Sequence, residues 1–218
     1  MLLLVTGASG AGKSTVRRRI AGDLAPQVEC VELGDVVEVP RRPTIAWRQQ
    51  ATEAVVRRAL ALQAHGRHVL LSGDPVAAGE VVAAPSAGQL GAIAVCLLDI
   101  GPAAQAARLT ERGDDPAQLV HHQAFAVWMR AHARDLCHML DVLTIGGWEG
   151  MRWERLRAID PDEGGWRMHV VDVSGLARDE VAAAVLGWAR AALAGTGWSM
   201  SAPRDPLGQR ADQNNPLF

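Results

Sequence analysis

A glycine-rich segment near the start of the chain restricts the fold more than any other feature. Residues 7–15 read Gly-Ala-Ser-Gly-Ala-Gly-Lys-Ser-Thr and match the pattern G-x-x-x-x-G-K-[ST]. An apolar run precedes the segment, and a stretch with apolar residues at helical spacing follows it. Such a strand, loop and helix let consecutive backbone N–H groups surround a phosphate at the positive end of the helix. We call residues 7–15 the phosphate loop, and it predicts a nucleotide-binding site.

Each part of the phosphate loop has an expected task. Its glycines permit backbone angles that other residues resist. Lys13 is expected to reach the β- and γ-phosphates, and the Ser14 hydroxyl is expected to bind Mg²⁺. The predicted nucleotide-binding residues are Gly7, Ala8, Ser9, Gly10, Ala11, Gly12, Lys13, Ser14 and Thr15.

The lysine content singles out the same position. Of the 22 basic residues, 21 are arginine and Lys13 is the one lysine. An ammonium group is a compact point charge, whereas a guanidinium group is a planar fork, so a site that keeps lysine has a tight geometric demand. A second lysine would also be needed for the base-reading [NT]-K-x-D motif of GTPases. The sequence therefore excludes a GTPase switch.

Composition and charge exclude several other classes. With 49% apolar residues, 21% charged residues and a formal charge of −2, the chain is typical of a globular protein, and nucleic acid is not an expected partner. The longest apolar run, residues 92–98, is much shorter than the roughly 20 residues that a membrane span requires. Three scattered cysteines and an N-terminus without a basic region lead us to expect a cytoplasmic protein. The oligomeric state stays open.

Apolar runs alternate with helical stretches along the chain, which is typical of β-α-β units. We therefore predict an α/β fold, a three-layer sandwich with a five-stranded, mainly parallel sheet. One domain is expected over residues 1–198, with an insertion at 144–166 and a disordered tail at 199–218. The predicted strands are 2–6, 28–33, 68–72, 93–98 and 168–173, and the predicted helices are 12–24, 46–65, 102–112, 117–140 and 177–194.

Three further segments carry a family resemblance. Asp35 follows the second predicted strand, Arg108 and Arg112 end a helix before Gly113, and Ser174 follows the last strand. Together with the phosphate loop, this layout resembles the P-loop small-molecule kinases, which include shikimate and gluconate kinases, adenylate kinase and the chloramphenicol phosphotransferases. The third strand ends in Ser-Gly-Asp-Pro and lacks the triple glycine of shikimate kinases and the Gly-Phe-Pro-Arg of adenylate kinases. Neither of those two substrates is therefore favoured.

The resemblance implies an ATP-dependent phosphotransferase that moves the γ-phosphoryl group to a hydroxyl of a small molecule, with ATP and Mg²⁺ as cofactors. It implies that Asp35 accepts the hydroxyl proton and that Ser174 borders the adenine. It further implies a short lid at residues 108–118, from which Arg108 and Arg112 close over the phosphates.

Several alternatives stay open at this stage. Asp74, after the third strand, competes with Asp35 for the role of base and is also a candidate to hold magnesium through water. An acceptor pocket is expected near Asp35, with Arg41, Arg42, Trp47 and Arg48 either lining it or lying as solvated surface residues. A nucleotide-binding regulatory ATPase with little turnover is the alternative function, and a nucleoside or nucleotide kinase is a variant of the first.

Overall fold

The computed structural model describes residues 1–159 and 166–201. Its centre is a five-stranded parallel sheet in the order β2-β3-β1-β4-β5. Helices cover both faces, so the predicted three-layer α/β fold is confirmed. The strands are β1 Leu2–Thr6, β2 Val28–Val31, β3 His68–Ser72, β4 Ile93–Asp99 and β5 His169–Asp172.

Eight α-helices lie in the described residues: α1 Lys13–Leu24, α2 Ile45–Gln63, α3 Ala78–Ala83, α4 Pro102–Arg112, α5 Leu119–His132, α6 Asp141–Thr144, α7 Glu154–Arg157 and α8 Arg178–Leu193. Short 3-10 turns lie at Leu33–Asp35, Pro85–Gln89 and Pro116–Gln118. No helix in the described ranges is long and apolar enough to cross a membrane.

The three central strands, β3, β1 and β4, are buried on both faces because the order of the connections places helices on both sides of the sheet. The connection from β1 crosses to the edge strand β2. Every later connection leads back across the sheet, toward the opposite edge at β5. Since such crossovers are right-handed, α1 and α8 cover one face, while α2, α3 and α5 cover the other. Leu3 and Val5 of β1 accordingly pack on the first face, and Leu2 and Leu4 on the second.

The predicted helix over 117–140 is broken in the structure. The α5 helix ends at His132, and α6 begins only at Asp141. Between them the Asp135 carboxylate accepts a hydrogen bond from the backbone N–H of Cys137, at 2.8 Å. A side chain that bonds the backbone two residues onward offers a turn in place of the helical ladder. Periodicity alone therefore overestimated this helix.

The predicted insertion and tail lie partly outside the described residues, in ranges 160–165 and 202–218. Within the described part of the insertion, Arg155 of α7 is 2% exposed and donates to the carbonyls of Ala84 and Pro85, at 2.6 and 2.8 Å. Beyond residue 198, Met200 forms an antiparallel bridge with Ile93. The described insertion segment thus packs on the main core.

Candidate functional site

The phosphate loop connects the end of β1 to the start of α1 through a tight backbone curve. Gly7 has φ +148°, and a Cβ there would lie 2.5 Å from the carbonyl oxygen of Leu98 in β4. Gly12 has φ +96° and precedes the first helical residue, Lys13. Position 7 requires both a positive φ and the absence of a Cβ, and only glycine meets these two requirements.

Lys13 is enclosed by its own loop. Only 7% of its surface is exposed, and Nζ donates to the carbonyl oxygens of Gly7 and Ala8, at 2.8 and 3.1 Å. Burial lowers the pKa of the Lys13 ammonium to about 8, against the opposing effect of the Asp74 and Glu32 carboxylates. The single lysine of the chain is therefore a desolvated cation inside the loop.

The loop forms one wall of a cleft with a volume of about 780 Å³. This volume falls within the range of roughly 300–1,000 Å³ that is typical of small-molecule and cofactor sites. The opposite walls come from α4 and from the start of α8. Besides the loop, the lining residues are Val16, Arg18, Gly73, Pro75, Arg108, Glu111, Arg112, Leu176, Ala177, Arg178 and Val181.

Both arginines that the sequence predicted for the lid line this cleft. Arg108 donates to the carbonyl of Gly10 at 3.3 Å and to that of Val173 at 2.6 Å, so it joins the phosphate loop to the end of β5. Arg112 forms a bidentate ion pair with Asp114, with Nε 2.5 Å from Oδ1. The pair lowers the pKa of the Asp114 carboxyl.

Ser174, which the sequence predicted beside the nucleotide, does not line the cleft. Its hydroxyl donates to Asp172 at 2.6 Å and accepts from the backbone N–H of Gly101 at 2.8 Å. These bonds tie the end of β5 to the start of α4. Residues two to four positions further along, Leu176 to Arg178, form the wall instead.

Three carboxylates meet where β2 and β3 end. We call Glu32, Asp35 and Asp74 the carboxylate cluster. Arg17 of α1 lies between two of them, with Nη1 3.1 Å from Oδ2 of Asp35 and Nη2 3.2 Å from Oε1 of Glu32. Asp35 also accepts the backbone N–H of Glu32 at 2.8 Å. Two carboxylates of the cluster thus share one guanidinium.

Asp74 is the member most strongly coupled to Lys13. It is partly buried, and its Oδ2 accepts the backbone N–H of Leu33 at 2.7 Å. Burial raises the pKa of the Asp74 carboxyl, and the Glu32 charge raises it further, while the Leu33 N–H, Lys13 and Arg17 act in the opposite direction. Among the charged groups that act on Lys13, Asp74 has the largest effect.

Of the four residues predicted for an acceptor pocket, Arg48 and Trp47 form hydrogen bonds to other parts of the protein. Arg48 forms a bidentate pair with Glu80 of α3, with Nη2 2.8 Å from Oε1, and Glu80 is 0% exposed. The indole of Trp47 donates to the carbonyl of Glu38 at 3.1 Å. Arg41 and Arg42 are exposed and have no hydrogen bond or ion pair with a described residue. None of the four lines the cleft, so Arg48 is tied to the α2–α3 contact rather than to a ligand pocket.

Sequence reasoning missed three residues that shape the site. Arg17 lies four residues after Lys13, and that spacing was a readable signal, because residues i and i+4 share a helix face. Glu32 directly follows β2 and was passed over in favour of Asp35. Gln105 of α4 donates to the carbonyl of Ser9 at 2.9 Å, and no sequence signal marked it.

Comparisons with known proteins support the fold. No protein-family model and no curated protein matches the chain. The solved structure of APE1195 is 14% identical, with a TM-score of 0.50 over 88% of this chain and 95% of that one. A chain of the Pnkp1/Rnl/Hen1 RNA repair complex is 17% identical, with a TM-score of 0.46 over 60% of this chain. This chain spans 45% of the length of that repair protein. At these identities the likeness to APE1195 concerns the fold alone.

Proposed function

We propose that the protein is an ATP-dependent phosphotransferase that transfers the γ-phosphoryl group to a hydroxyl of a small molecule. One observation carries the proposal. The buried Lys13 cation of the phosphate loop and the carboxylates of Asp35 and Asp74 follow the carboxyl ends of three neighbouring parallel strands, β1, β2 and β3. Phosphoryl transfer to an alcohol needs this combination, because the phosphates require positive charge and the hydroxyl must lose a proton.

The residues of the loop fit a nucleotide and Mg²⁺. The loop curves through left-handed glycines, and the Lys13 ammonium, held in a desolvated position, gains from a nearby anion. Ser14 and Asp74 offer hydroxyl and carboxylate oxygens, which are the donors that Mg²⁺ prefers. When bound, the Mg²⁺–nucleotide supplies the phosphoryl group, and the metal neutralises part of its charge.

The remaining residues orient and shield the reactants. Lys13 and the loop N–H groups stabilise the charge on the transferred group, because they are held in position before the reaction starts. Arg108 and Arg112 face them across the cleft and add positive charge. Movement of the segment at 108–118 over the cleft would exclude water and favour transfer over hydrolysis.

The proton acceptor is proposed to be Asp35, and Asp74 is the competing candidate. Asp74 has its pKa raised by burial, and a carboxylate with a raised pKa is a stronger base. Asp35→Asn and Asp74→Asn separate the two roles. Loss of the base is expected to lower kcat by about 100-fold or more at an unchanged KM for ATP. Loss of a metal ligand is expected to raise the Mg²⁺ concentration needed for half-maximal activity instead.

The proposal is tested by measuring ADP release from Mg·ATP, alone and with pooled sugars, nucleosides, amino alcohols and hydroxylated antibiotics. Lys13→Ala is the blank. A pool that stimulates release, with a product heavier by one phosphoryl group, supports the kinase and names the acceptor class. Tight ATP binding without stimulation by any pool supports the regulatory ATPase, and no nucleotide binding at all contradicts both.

A further inference from the structure

The feature that carries this inference is the buried amide of Gln105. The side chain is 0% exposed, and its Nε2 donates to two carbonyl oxygens, that of Ser9 at 2.9 Å and that of His122 at 3.2 Å. Its Oε1 has no hydrogen-bond partner among the described residues. The reversed amide would direct Oε1 at two carbonyl oxygens, so the two bonds fix which atom faces the loop.

The bond to Ser9 sets the direction of a neighbouring N–H group. The Ser9 carbonyl and the Gly10 N–H belong to one peptide unit, and in the described chain the Ala25–Pro26 bond alone is cis. In a trans peptide these two groups point in opposite directions. Because the Ser9 carbonyl points at Gln105, the Gly10 N–H points away from it, and Gly10 lines the cleft.

The N–H group of the next peptide unit, Gly10–Ala11, has a partner within the loop. The Ala11 N–H donates to the carbonyl of Ala8 at 3.2 Å. The Gly10 N–H has no such partner in the described structure. Gly10 has φ +83°, and a glycine beside the Ser9–Gly10 peptide leaves that unit able to rotate. An external bond is therefore needed to keep it in one orientation.

We propose that Gln105 is a positioning residue for phosphate binding: through the Ser9–Gly10 peptide, it holds the Gly10 N–H toward the cleft. The inference rests on the proposed function, because it presumes that the loop binds phosphates. The same amide also bonds α5 through the carbonyl of His122, so the loop orientation depends on how α4 and α5 pack.

The test compares Gln105→Met with Gln49→Met. Gln49 is a matched control, because it is also 0% exposed and its amide donates to a backbone carbonyl, that of Leu143, at 2.7 Å. Each variant loses two hydrogen bonds of a buried amide, since Gln105 donates two and Gln49 donates one and accepts the backbone N–H of Trp148 at 2.6 Å. The probes are inorganic tripolyphosphate and adenosine, measured by calorimetry on the full chain. We expect Gln105→Met to bind tripolyphosphate about tenfold more weakly, with adenosine binding unchanged. We expect Gln49→Met to keep both affinities.

A measurement on the unaltered chain covers the case in which Gln105→Met fails to fold. On titration with pyrophosphate, the Gly10 amide resonance is expected to move strongly, and the Ala11 amide resonance much less. Equal tripolyphosphate affinity in the wild type and Gln105→Met, or a larger shift at Ala11 than at Gly10, would overturn the inference and leave the proposed function intact. A wild-type chain that binds no tripolyphosphate would overturn both.

Discussion

The two halves of the candidate site are the phosphate loop, which lines the cleft, and the carboxylate cluster, whose members do not line it, and they are built in different ways. The loop uses nine consecutive residues, and the groups it offers are mainly backbone N–H groups and one lysine. The carboxylate cluster uses side chains from two strand ends, with Arg17 of α1 between them. A backbone site is specified by local sequence, whereas a side-chain site depends on which strands become neighbours.

The two halves of the site also differ in how rigidly they are supported. Gly7 of the loop lies against the backbone of β4, at the carbonyl of Leu98. Gly73, beside the cluster, lies against the carboxylate end of Glu32, and a Cβ there would be 2.5 Å from it. A backbone atom cannot move without distorting the sheet, but a side chain can rotate. The loop is thus the rigid half of the site and the cluster the adjustable half.

The largest effect is expected from the loop cation. Lys13→Ala should lower turnover at least about 1,000-fold, since it removes a fixed charge from the site of phosphoryl transfer. Lys13→Arg should not restore activity, because the planar guanidinium does not fit a pocket that encloses a point charge. ADP release under saturating acceptor measures both. If Lys13→Arg kept nearly wild-type activity, the loop would accept a planar guanidinium group and would be less rigid than the contrast with the carboxylate cluster implies.

The next effect concerns how much each half of the site contributes to the stability of the fold. Gly7→Ala should lower the free energy of unfolding by about 3 kcal/mol or more, because both the positive φ and the Leu98 carbonyl oppose a side chain. Gly73→Ala should cost about 1–2 kcal/mol, since φ is also positive but the obstacle is a side chain that can rotate away. Urea denaturation measures both free energies of unfolding.

Gly22→Ala in α1 is the control for both variants. Nothing lies within 4 Å of a Cβ at this position, so the substitution should stabilise the protein by about 0.5–1 kcal/mol. Equal losses at Gly7 and Gly73 would refute the rigidity difference.

A smaller effect isolates the cluster. Arg17→Met should lower kcat about tenfold, because Glu32 and Asp35 lose the cation that holds them in place. The KM for ATP should stay within about twofold, since Arg17 does not line the cleft. Steady-state kinetics at varied ATP and acceptor separate the two parameters. A loss confined to the KM for ATP would mean that the two halves are not separate.

The smallest effect is the pH dependence of nucleotide binding. Burial lowers the pKa of Lys13 to about 8, so the ammonium loses its proton as the pH rises through that value. A bound diphosphate favours the protonated form, and ADP affinity should therefore fall with rising pH, by about fourfold from pH 7 to pH 8.5. Calorimetry with ADP at both values tests this. The residual binding of Lys13→Ala should show no such fall, and a parallel fall in that variant would assign the titration to another group.

The alternation of apolar runs and helical stretches predicted the five strands, most clearly the three central strands β1, β3 and β4, which are buried on both faces and read as nearly continuous apolar segments. The helix over 117–140 was overestimated because a local turn at Asp135 competes with periodicity. The ion pair of Arg48 could not be predicted from the sequence for a different reason. Its partner Glu80 is 32 residues away, and no local pattern reveals which acidic residue an arginine will meet.

The sequence by itself determined the phosphate loop, since every residue that forms it is contiguous and its glycines and lysine have local physical reasons. Only the tertiary structure decided the rest of the site. The strand order brings Asp74 beside Lys13 and Arg17 between Glu32 and Asp35, and helix packing brings the Gln105 amide to the Ser9 carbonyl. These contacts join residues that are between 15 and 96 positions apart, and their formation depends on chain topology, which local patterns do not encode.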